Sequence, residues 1–185
     1  MTYEVELKFP LEHPDGILSQ LDELNATRGT PIQQHDRYFN HPSRNFANTD
    51  EALRIRSTGG AHRVTYKGPL VDSKSKTRRE IEIPFGTQET DAARFAEMLI
   101  ILGFREVGTV SKTRVPYHLH WEEGELELVF DNVDKLGRFL EIEIMADESS
   151  RHAARDSILR LAQRLGLENS ERRSYLSLLL ERDGL

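Results

Sequence analysis

The feature that most constrains the fold is a strand pattern in which charged residues alternate with apolar ones. It is clearest at residues 3–9, which read Tyr-Glu-Val-Glu-Leu-Lys-Phe. Side chains alternate between the two faces of a strand, so Glu4, Glu6 and Lys8 share one face and the apolar residues between them share the other. Charged pairs at the same spacing recur at Arg54 and Arg56, at Lys112 and Arg114, and at Glu141 and Glu143. The pattern predicts a sheet with one strongly charged face and one apolar face.

The charged face could point to solvent or into a barrel. Most antiparallel sheets have one solvated polar face, where charged alternation costs nothing. Such a sheet favours opposite charges on neighbouring strands, whereas here like charges lie two residues apart on one strand, as at Glu141 and Glu143. About eight strands are enough to close a barrel whose interior holds side chains or one small ligand. We therefore expect an α+β fold, an eight-stranded antiparallel closed β-barrel with a charged lumen and flanking helices.

The remaining elements follow from hydrophobic periodicity. Strands are predicted over residues 3–9, 32–40, 53–57, 63–67, 77–84, 107–117, 125–131 and 138–145. Helices are predicted over residues 13–27, 89–102, 149–165 and 171–181. The polar stretch 72–76, Asp-Ser-Lys-Ser-Lys, is expected to be a loop. No segment reads as a linker, so residues 1–185 are interpreted as a single domain.

Composition narrows the classes of partner. Acidic residues outnumber basic ones, 31 to 25, and the net charge is −6, which argues against binding duplex nucleic acid through a basic surface. The absence of cysteine excludes disulfides and fits a cytoplasmic protein. No stretch is long enough to span a bilayer, and no signal segment opens the sequence, so no membrane partner is expected. Apolar surface on the outside of the barrel would be compatible with a homodimer.

A charged lumen points to a particular kind of ligand. Charges inside a barrel lose water at a cost of several kcal/mol per ion unless they are paired, hydrated or bound. Carboxylates hold hard divalent cations, and lysine and arginine hold phosphates. A lumen that contains both suits a complex of a polyphosphate with its metal, provided that the barrel closes.

An ordered series of motifs resembles the CYTH family, the triphosphate tunnel metalloenzymes. The opening Glu4-x-Glu6-x-Lys8 is similar to the family's signature, although one such motif alone would be weak. The likeness continues in family order through Asp36-x-Tyr38-Phe39, Leu53-Arg54-Ile55-Arg56, Tyr66-Lys67-Gly68-Pro69, Arg79-Glu80-Ile81-Glu82, Lys112-Thr113-Arg114, Phe130-Asp131-Asn132-Val133, Phe139-x-Glu141-Ile142-Glu143 and Arg173-Ser174-Tyr175-Leu176. Almost the whole chain takes part, and the resemblance implies an eight-stranded antiparallel tunnel.

The resemblance also implies roles for individual residues. The carboxylates that it assigns to Mg²⁺ or Mn²⁺ are Glu4, Glu6, Asp131, Glu141 and Glu143. The cations that it assigns to the triphosphate are Lys8, Arg54, Arg56, Lys67, Arg79, Lys112, Arg114 and Arg173. Tyr38 and Lys67 resemble a pair proposed to activate or orient water in some hydrolases of the family.

The expected function is metal-dependent cleavage of a small-molecule triphosphate. We favour hydrolysis of inorganic tripolyphosphate or thiamine triphosphate, because hydrolysis needs fewer special features than orienting a ribose 3′-hydroxyl. The alternative is a class IV adenylate cyclase that converts ATP to cyclic AMP and pyrophosphate. A second alternative is a noncatalytic module that binds polyphosphate or a nucleotide.

Overall fold

The computed structural model describes residues 2–71, 76–122 and 124–184. Its strands are β1 (Thr2–Pro10), β2 (Thr27–Arg28), β3 (Ile32–Asn40), β4 (Ala52–Thr58), β5 (Ala61–Lys67), β6 (Arg78–Gly86), β7 (Arg105–Trp121), β8 (Gly124–Val133) and β9 (Gly137–Asp147). Its α-helices are α1 (Asp15–Glu23), α2 (Glu89–Ile101), α3 (Arg151–Arg164) and α4 (Tyr175–Arg182), and a short 3₁₀ helix spans Phe46–Asn48. No helix in these ranges is both long and apolar enough to cross a bilayer.

Eight of the strands close into an antiparallel barrel, as the alternation predicted. The strands are ordered β2-β7-β3-β4-β5-β6-β1-β9-β8, and β7 also pairs with β8, which closes the ring. The exception is β2, a two-residue strand that pairs only with the far end of β7, through Thr27 opposite His118 and Arg28 opposite Tyr117. It lies just after α1, which ends four residues earlier than the helix predicted from the sequence.

The apolar faces of the strands point outward and are covered by helices. The largest cluster packs α3 residues such as Ile158 and Leu161 on Leu7 and Ile142, all of which are almost completely buried. Burying a side chain of this kind contributes about 1.5–3 kcal/mol. On another side of the barrel, α2 packs Leu99 against the outer faces of β3 and β4. With apolar faces outside, the charged faces turn inward.

The segment expected to be a polar loop lies only partly within the described ranges. Residues 72–75 of that segment are outside them. Lys76, the last residue of the predicted loop, is buried with 5% exposure, and its backbone N–H donates to the carbonyl of Glu6. Lys76 therefore joins the barrel next to β1, where its side chain reaches the lumen.

Candidate active site

The inward faces of the strands line a tunnel with a cavity of about 430 Å³. Most of the residues assigned by resemblance line this cavity: Glu4, Glu6, Lys8, Tyr38, Arg54, Arg56, Lys67, Lys112, Arg114, Glu141 and Glu143. Four further charged residues line it that were not assigned as ligands: Lys76, Arg78, Glu80 and Glu82. The cavity is thus walled almost entirely by ionisable groups of both signs.

Three carboxylates meet at one place in the tunnel. Glu4, Glu6 and Glu143 each offer an oxygen, and these oxygens lie within 4.8 Å of one another. Glu6 on β1 lies directly opposite Glu143 on β9, an arrangement of like charges that destabilises a sheet when nothing compensates it. We call these three residues the acidic triad.

The acidic triad fits a hard divalent cation. Burial raises the pKa of Glu143 well above its ordinary value; Arg114 opposes this shift, and the neighbouring charges of Glu4, Glu141 and Glu6 add to it. Mg²⁺ takes oxygen ligands at about 2.1 Å, so two of its ligand oxygens are at most about 4.2 Å apart. Small side-chain adjustments would bring the triad to that spacing, and Glu4, Glu6 and Glu143 could then hold Mg²⁺ or Mn²⁺.

Two lysines neutralise part of the triad in this structure. Lys67 hydrogen-bonds the carboxylate of Glu4 and lies 2.9 Å from Glu80, and Lys76 lies 2.8 Å from Glu6. Burial opposes the charge on Lys67, but Glu4 and Glu80 raise its pKa above the ordinary lysine value. Lys67 is therefore a stable cation, suited to orient a phosphate or a water molecule and unsuited to accept a proton.

Asp131, assigned to the metal by resemblance, lies among cations instead. It is 1% exposed, and its carboxylate accepts hydrogen bonds from Lys112 at 2.6 Å and from Arg114 at 2.7 and 2.8 Å. The hydroxyl of Tyr175 donates a further hydrogen bond to it at 3.1 Å. In this structure Asp131 is therefore an anchor that holds two tunnel cations, and its assignment to the metal stays a prediction.

Glu141 is likewise committed to a cation. Arg114 lies 2.5 Å from the carboxylate of Glu141 and 3.6 Å from that of Glu143. Burial opposes ionisation of Glu141, but Lys112 and Arg114 lower its pKa well below the ordinary value. Glu141 thus lines the tunnel as the partner of Arg114, beside the acidic triad but outside it.

A second aspartate, which was not assigned a role from the sequence, anchors two further tunnel cations. Asp36 on β3 accepts two hydrogen bonds of 2.7 Å from Arg56 and lies 3.5 Å from Arg54. Burial opposes its ionisation, but Arg54 and Arg56 lower the pKa of Asp36 well below the ordinary aspartate value. The motif Asp36-x-Tyr38 could have indicated that Asp36 faces the tunnel, since residues two apart on a strand share a face and Tyr38 lines the tunnel.

Lys8 and Lys112 meet around an aromatic ring. Their Nζ atoms lie 4.2 and 4.9 Å from the centre of the Tyr175 ring, and Lys8 also donates to the backbone carbonyl of Arg173. Burial lowers the pKa of Lys8 to about 7, and the nearby charge of Lys76 adds to the effect. Burial, together with Arg114, lowers the pKa of Lys112 to about 8. Both pKa shifts show that the tunnel holds its cations at a cost, which a polyanion would relieve.

Two of the assigned cations lie outside the tunnel. Arg79 points to the exposed outer face of β6, because its neighbours Arg78 and Glu80 occupy the inward positions. The side chain of Arg173 is 52% exposed and pairs with Glu171 and Glu181 at 2.5 Å. Arg79 and Arg173 thus do not line the cavity, whereas Arg78 does, and their assignment to the triphosphate stays a prediction.

Two arginines of the tunnel each carry an unpaired donor. The Nε atoms of Arg54 and Arg78 are buried and have no hydrogen-bond partner among the described residues. A buried donor left unpaired costs about 1–3 kcal/mol. Tyr38 also lines the tunnel and lies opposite Arg54 in the pairing of β3 with β4.

Comparisons with known proteins agree with this architecture. The CYTH domain family model matches residues 2–175. A protein of Methanocaldococcus jannaschii, proposed to be an adenylate cyclase, is 35% identical over 178 residues, which are 95% of this chain and 97% of that protein. Adenylate cyclase CyaB of Aeromonas hydrophila is 33% identical over 182 residues, with 95% and 88% of the two chains covered.

A solved structure shares the whole fold. The protein PH1819 of Pyrococcus horikoshii superimposes with a TM-score of 0.83 at 40% sequence identity, and the match covers 97% of this chain and 99% of that one. The family match, the two relatives and the tunnel itself lead to one conclusion: the chain belongs to the CYTH family and is an enzyme of the CYTH type.

Proposed function

We propose that this protein hydrolyses a triphosphate inside the tunnel with the help of Mg²⁺ or Mn²⁺. The observation that carries the proposal is the meeting of two groups in one cavity. The acidic triad, with its oxygens within 4.8 Å of one another, opens on the same cavity as the cations of β4 and β7. A triphosphate bound with its metal needs both groups, because it presents about four negative charges to the arginines and lysines and phosphate oxygens to the cation.

The cations are held in place before the substrate arrives. Arg54 and Arg56 are fixed by Asp36, while Lys112 and Arg114 are fixed by Asp131. Phosphoryl transfer asks a protein mainly for position and for charge stabilisation in the transition state. The buried carboxylates supply the positioning, because they restrict guanidinium and ammonium groups that would otherwise be flexible.

Water is the nucleophile in this proposal. A divalent cation bound by Glu4, Glu6 and Glu143 would neutralise phosphate charge and make a bound water more acidic. Tyr38 and Lys67 line the same cavity and would orient the attacking water or the phosphoryl group that it attacks. Because Lys67 is paired with Glu4 and Glu80, its role is to hold charge in position.

Cyclisation of ATP is the second candidate. The observation that favours it is that the two curated relatives, at 35% and 33% identity over nearly their whole length, bear the name adenylate cyclase. In that reaction the ribose 3′-hydroxyl attacks the α-phosphorus and pyrophosphate leaves. The same triad and cations would serve both reactions, which would differ in the nucleophile, in the phosphorus that is attacked and in the leaving group.

A product assay tests the proposal. Purified protein with Mg²⁺ or Mn²⁺ would receive tripolyphosphate, thiamine triphosphate or ATP, and orthophosphate, pyrophosphate and cyclic AMP would all be quantified. Orthophosphate without cyclic AMP is the expected result, and cyclic AMP with equimolar pyrophosphate would favour the cyclase. Glu6→Gln should abolish turnover, while Glu97→Gln on the exposed side of α2 should leave it unchanged. Tight triphosphate binding without any product would leave only a binding module.

A further inference from the structure

Lys76 is fixed to the acidic triad at both ends of the residue. Its backbone N–H donates to the backbone carbonyl of Glu6, and its Nζ donates to the carboxylate of Glu6 at 2.8 Å. The side chain of Lys76 also lines the tunnel cavity. An ammonium group of the protein therefore holds a carboxylate that the proposed metal site needs.

The two lysines at the triad differ in what else can hold them. Lys67 is paired with Glu4 and also lies 2.9 Å from Glu80, so a metal ion on Glu4 would leave Lys67 with a carboxylate partner. Among the carboxylates of the described residues, Lys76 pairs only with Glu6. A metal ion on Glu6 would thus take the one ionic partner that Lys76 has in the described ranges.

The surroundings of Lys76 make the loss of this partner costly. Lys76 is 5% exposed, and burial opposes its charge, but Glu6 and Glu141 raise its pKa above the ordinary lysine value. Lys8 is close by, since burial and then the charge of Lys76 lower the pKa of Lys8. A buried charge that loses its partner is strongly disfavoured. Lys76 therefore opposes binding of a metal ion to Glu6 until another anion replaces Glu6.

A triphosphate in the tunnel would supply that anion. Lys76 lines the same cavity as Arg54 and Arg56, and a lysine ammonium binds phosphate as a point charge. Lysine carries this charge on a flexible four-carbon chain. Its Nζ can therefore turn from Glu6 toward a phosphate while the backbone of Lys76 stays bound to β1.

We propose that Lys76 competes with the metal ion for Glu6 and binds a phosphate of the substrate when metal and triphosphate are bound together. Each ligand then strengthens binding of the other, because the metal releases Lys76 for the phosphate and the phosphate draws the competitor away from Glu6. Such coupling is reciprocal. The identity of the anion rests on the proposed function, whereas the competition for Glu6 is independent of turnover.

Titration with Mn²⁺ in the absence of any triphosphate tests the competition. Lys76→Met removes the ammonium group but keeps a long side chain, so Kd for Mn²⁺, followed by the signal of the free ion in electron paramagnetic resonance, should fall by about tenfold or more. Arg56→Met is the matched control, because it removes a tunnel cation whose carboxylate partner is Asp36 and not a member of the triad. Unchanged or weaker Mn²⁺ binding by Lys76→Met, or equal tightening in Arg56→Met, would overturn the competition.

The coupling between the two ligands gives a second readout, which a purely structural role of Lys76 would not change. A methylene-bridged tripolyphosphate, which is not hydrolysed, is titrated calorimetrically once with EDTA and once with saturating Mn²⁺. The gain in affinity caused by Mn²⁺ should be about tenfold smaller, or less still, in Lys76→Met than in the unmodified protein. Chelation of Mn²⁺ by the free analogue is the same for both proteins and cancels in the comparison. An equal gain in both proteins would refute the move of Lys76 to the phosphate.

The outcomes for this inference and for the proposed function are distinguishable. If the unmodified protein turned over no triphosphate, the proposed hydrolysis would fail, and the Mn²⁺ titration would still decide the competition. Turnover together with an unchanged Mn²⁺ affinity of Lys76→Met would overturn the competition alone, as would a lack of Mn²⁺ binding by both proteins. Thermal unfolding checks that each variant is folded, and Lys76→Gln serves in the same titrations if Lys76→Met does not fold.

Discussion

Replacing Asp131 by asparagine should damage the stability of the protein more than its affinity for metal. Lys112 is 3% exposed, and in the described ranges Asp131 is its only carboxylate partner within 4.0 Å. Asp131→Asn removes that charge, which leaves Lys112 without an ionic partner and Arg114 with one fewer. Breaking a buried ion pair by removing one partner costs about 3–5 kcal/mol.

The size of the effect can be measured by thermal unfolding. For a chain of 150–250 residues, each kcal/mol shifts Tm by about 2–4 °C, so Asp131→Asn should lower Tm by roughly 6–20 °C. Asp134→Asn is the control, because Asp134 is exposed in the turn that follows β8 and surface changes are usually within about 0.5 kcal/mol.

Isothermal titration with Mg²⁺, at a temperature where both variants are folded, gives the second readout. The affinity of Asp131→Asn should stay near that of the unmodified protein. A variant with normal Tm that no longer binds Mg²⁺ would refute the reasoning and support the assignment of Asp131 to the metal.

Three further outcomes are expected. Arg78→Ala should raise KM for the triphosphate because it removes a tunnel donor, while Arg79→Ala on the outer face should leave kinetics unchanged; equal effects would contradict the register of β6. Asp36→Asn should lower the free energy of unfolding by the same amount at every pH above about 5. Urea titrations should show this difference shrinking below about pH 4, because the Asp36 carboxylate protonates first in the unfolded state and only at lower pH in the folded state, where its pKa is lowered. Mg²⁺ at about 100 times its Kd should raise the free energy of unfolding by about 2.7 kcal/mol, and Glu6→Gln should lose most of this gain; an undiminished gain would place the metal elsewhere.

The barrel and the acidic triad could be predicted because both follow from the alternation of strand side chains. Glu4 and Glu6 must share a face of β1, and the structure adds only the pairing that places Glu143 opposite Glu6. The same rule could have excluded Arg79, which cannot share a face with Glu80. The assignment of Arg79 to the triphosphate followed the likeness to the family motif and not the alternation of side chains along the strand.

Other parts of the site depend on contacts that no local pattern encodes. The sequence motif predicts that the carboxylate of Asp131 faces the lumen. It does not predict that Lys112 and Arg114 on β7 hydrogen-bond this carboxylate. Lys76 lies at the end of a polar stretch typical of a loop, and only the closed barrel shows that it reaches Glu6.

The most direct test of the central claim is a crystal structure grown with Mn²⁺ and tripolyphosphate, with anomalous difference maps recorded at the manganese edge. We expect an anomalous peak within bonding distance of Glu4, Glu6 and Glu143, and phosphate density that runs along the tunnel toward Arg54 and Arg56. A manganese peak outside the tunnel, or phosphate bound only on the outer surface of the barrel, would contradict the claim that the tunnel takes a triphosphate together with its metal.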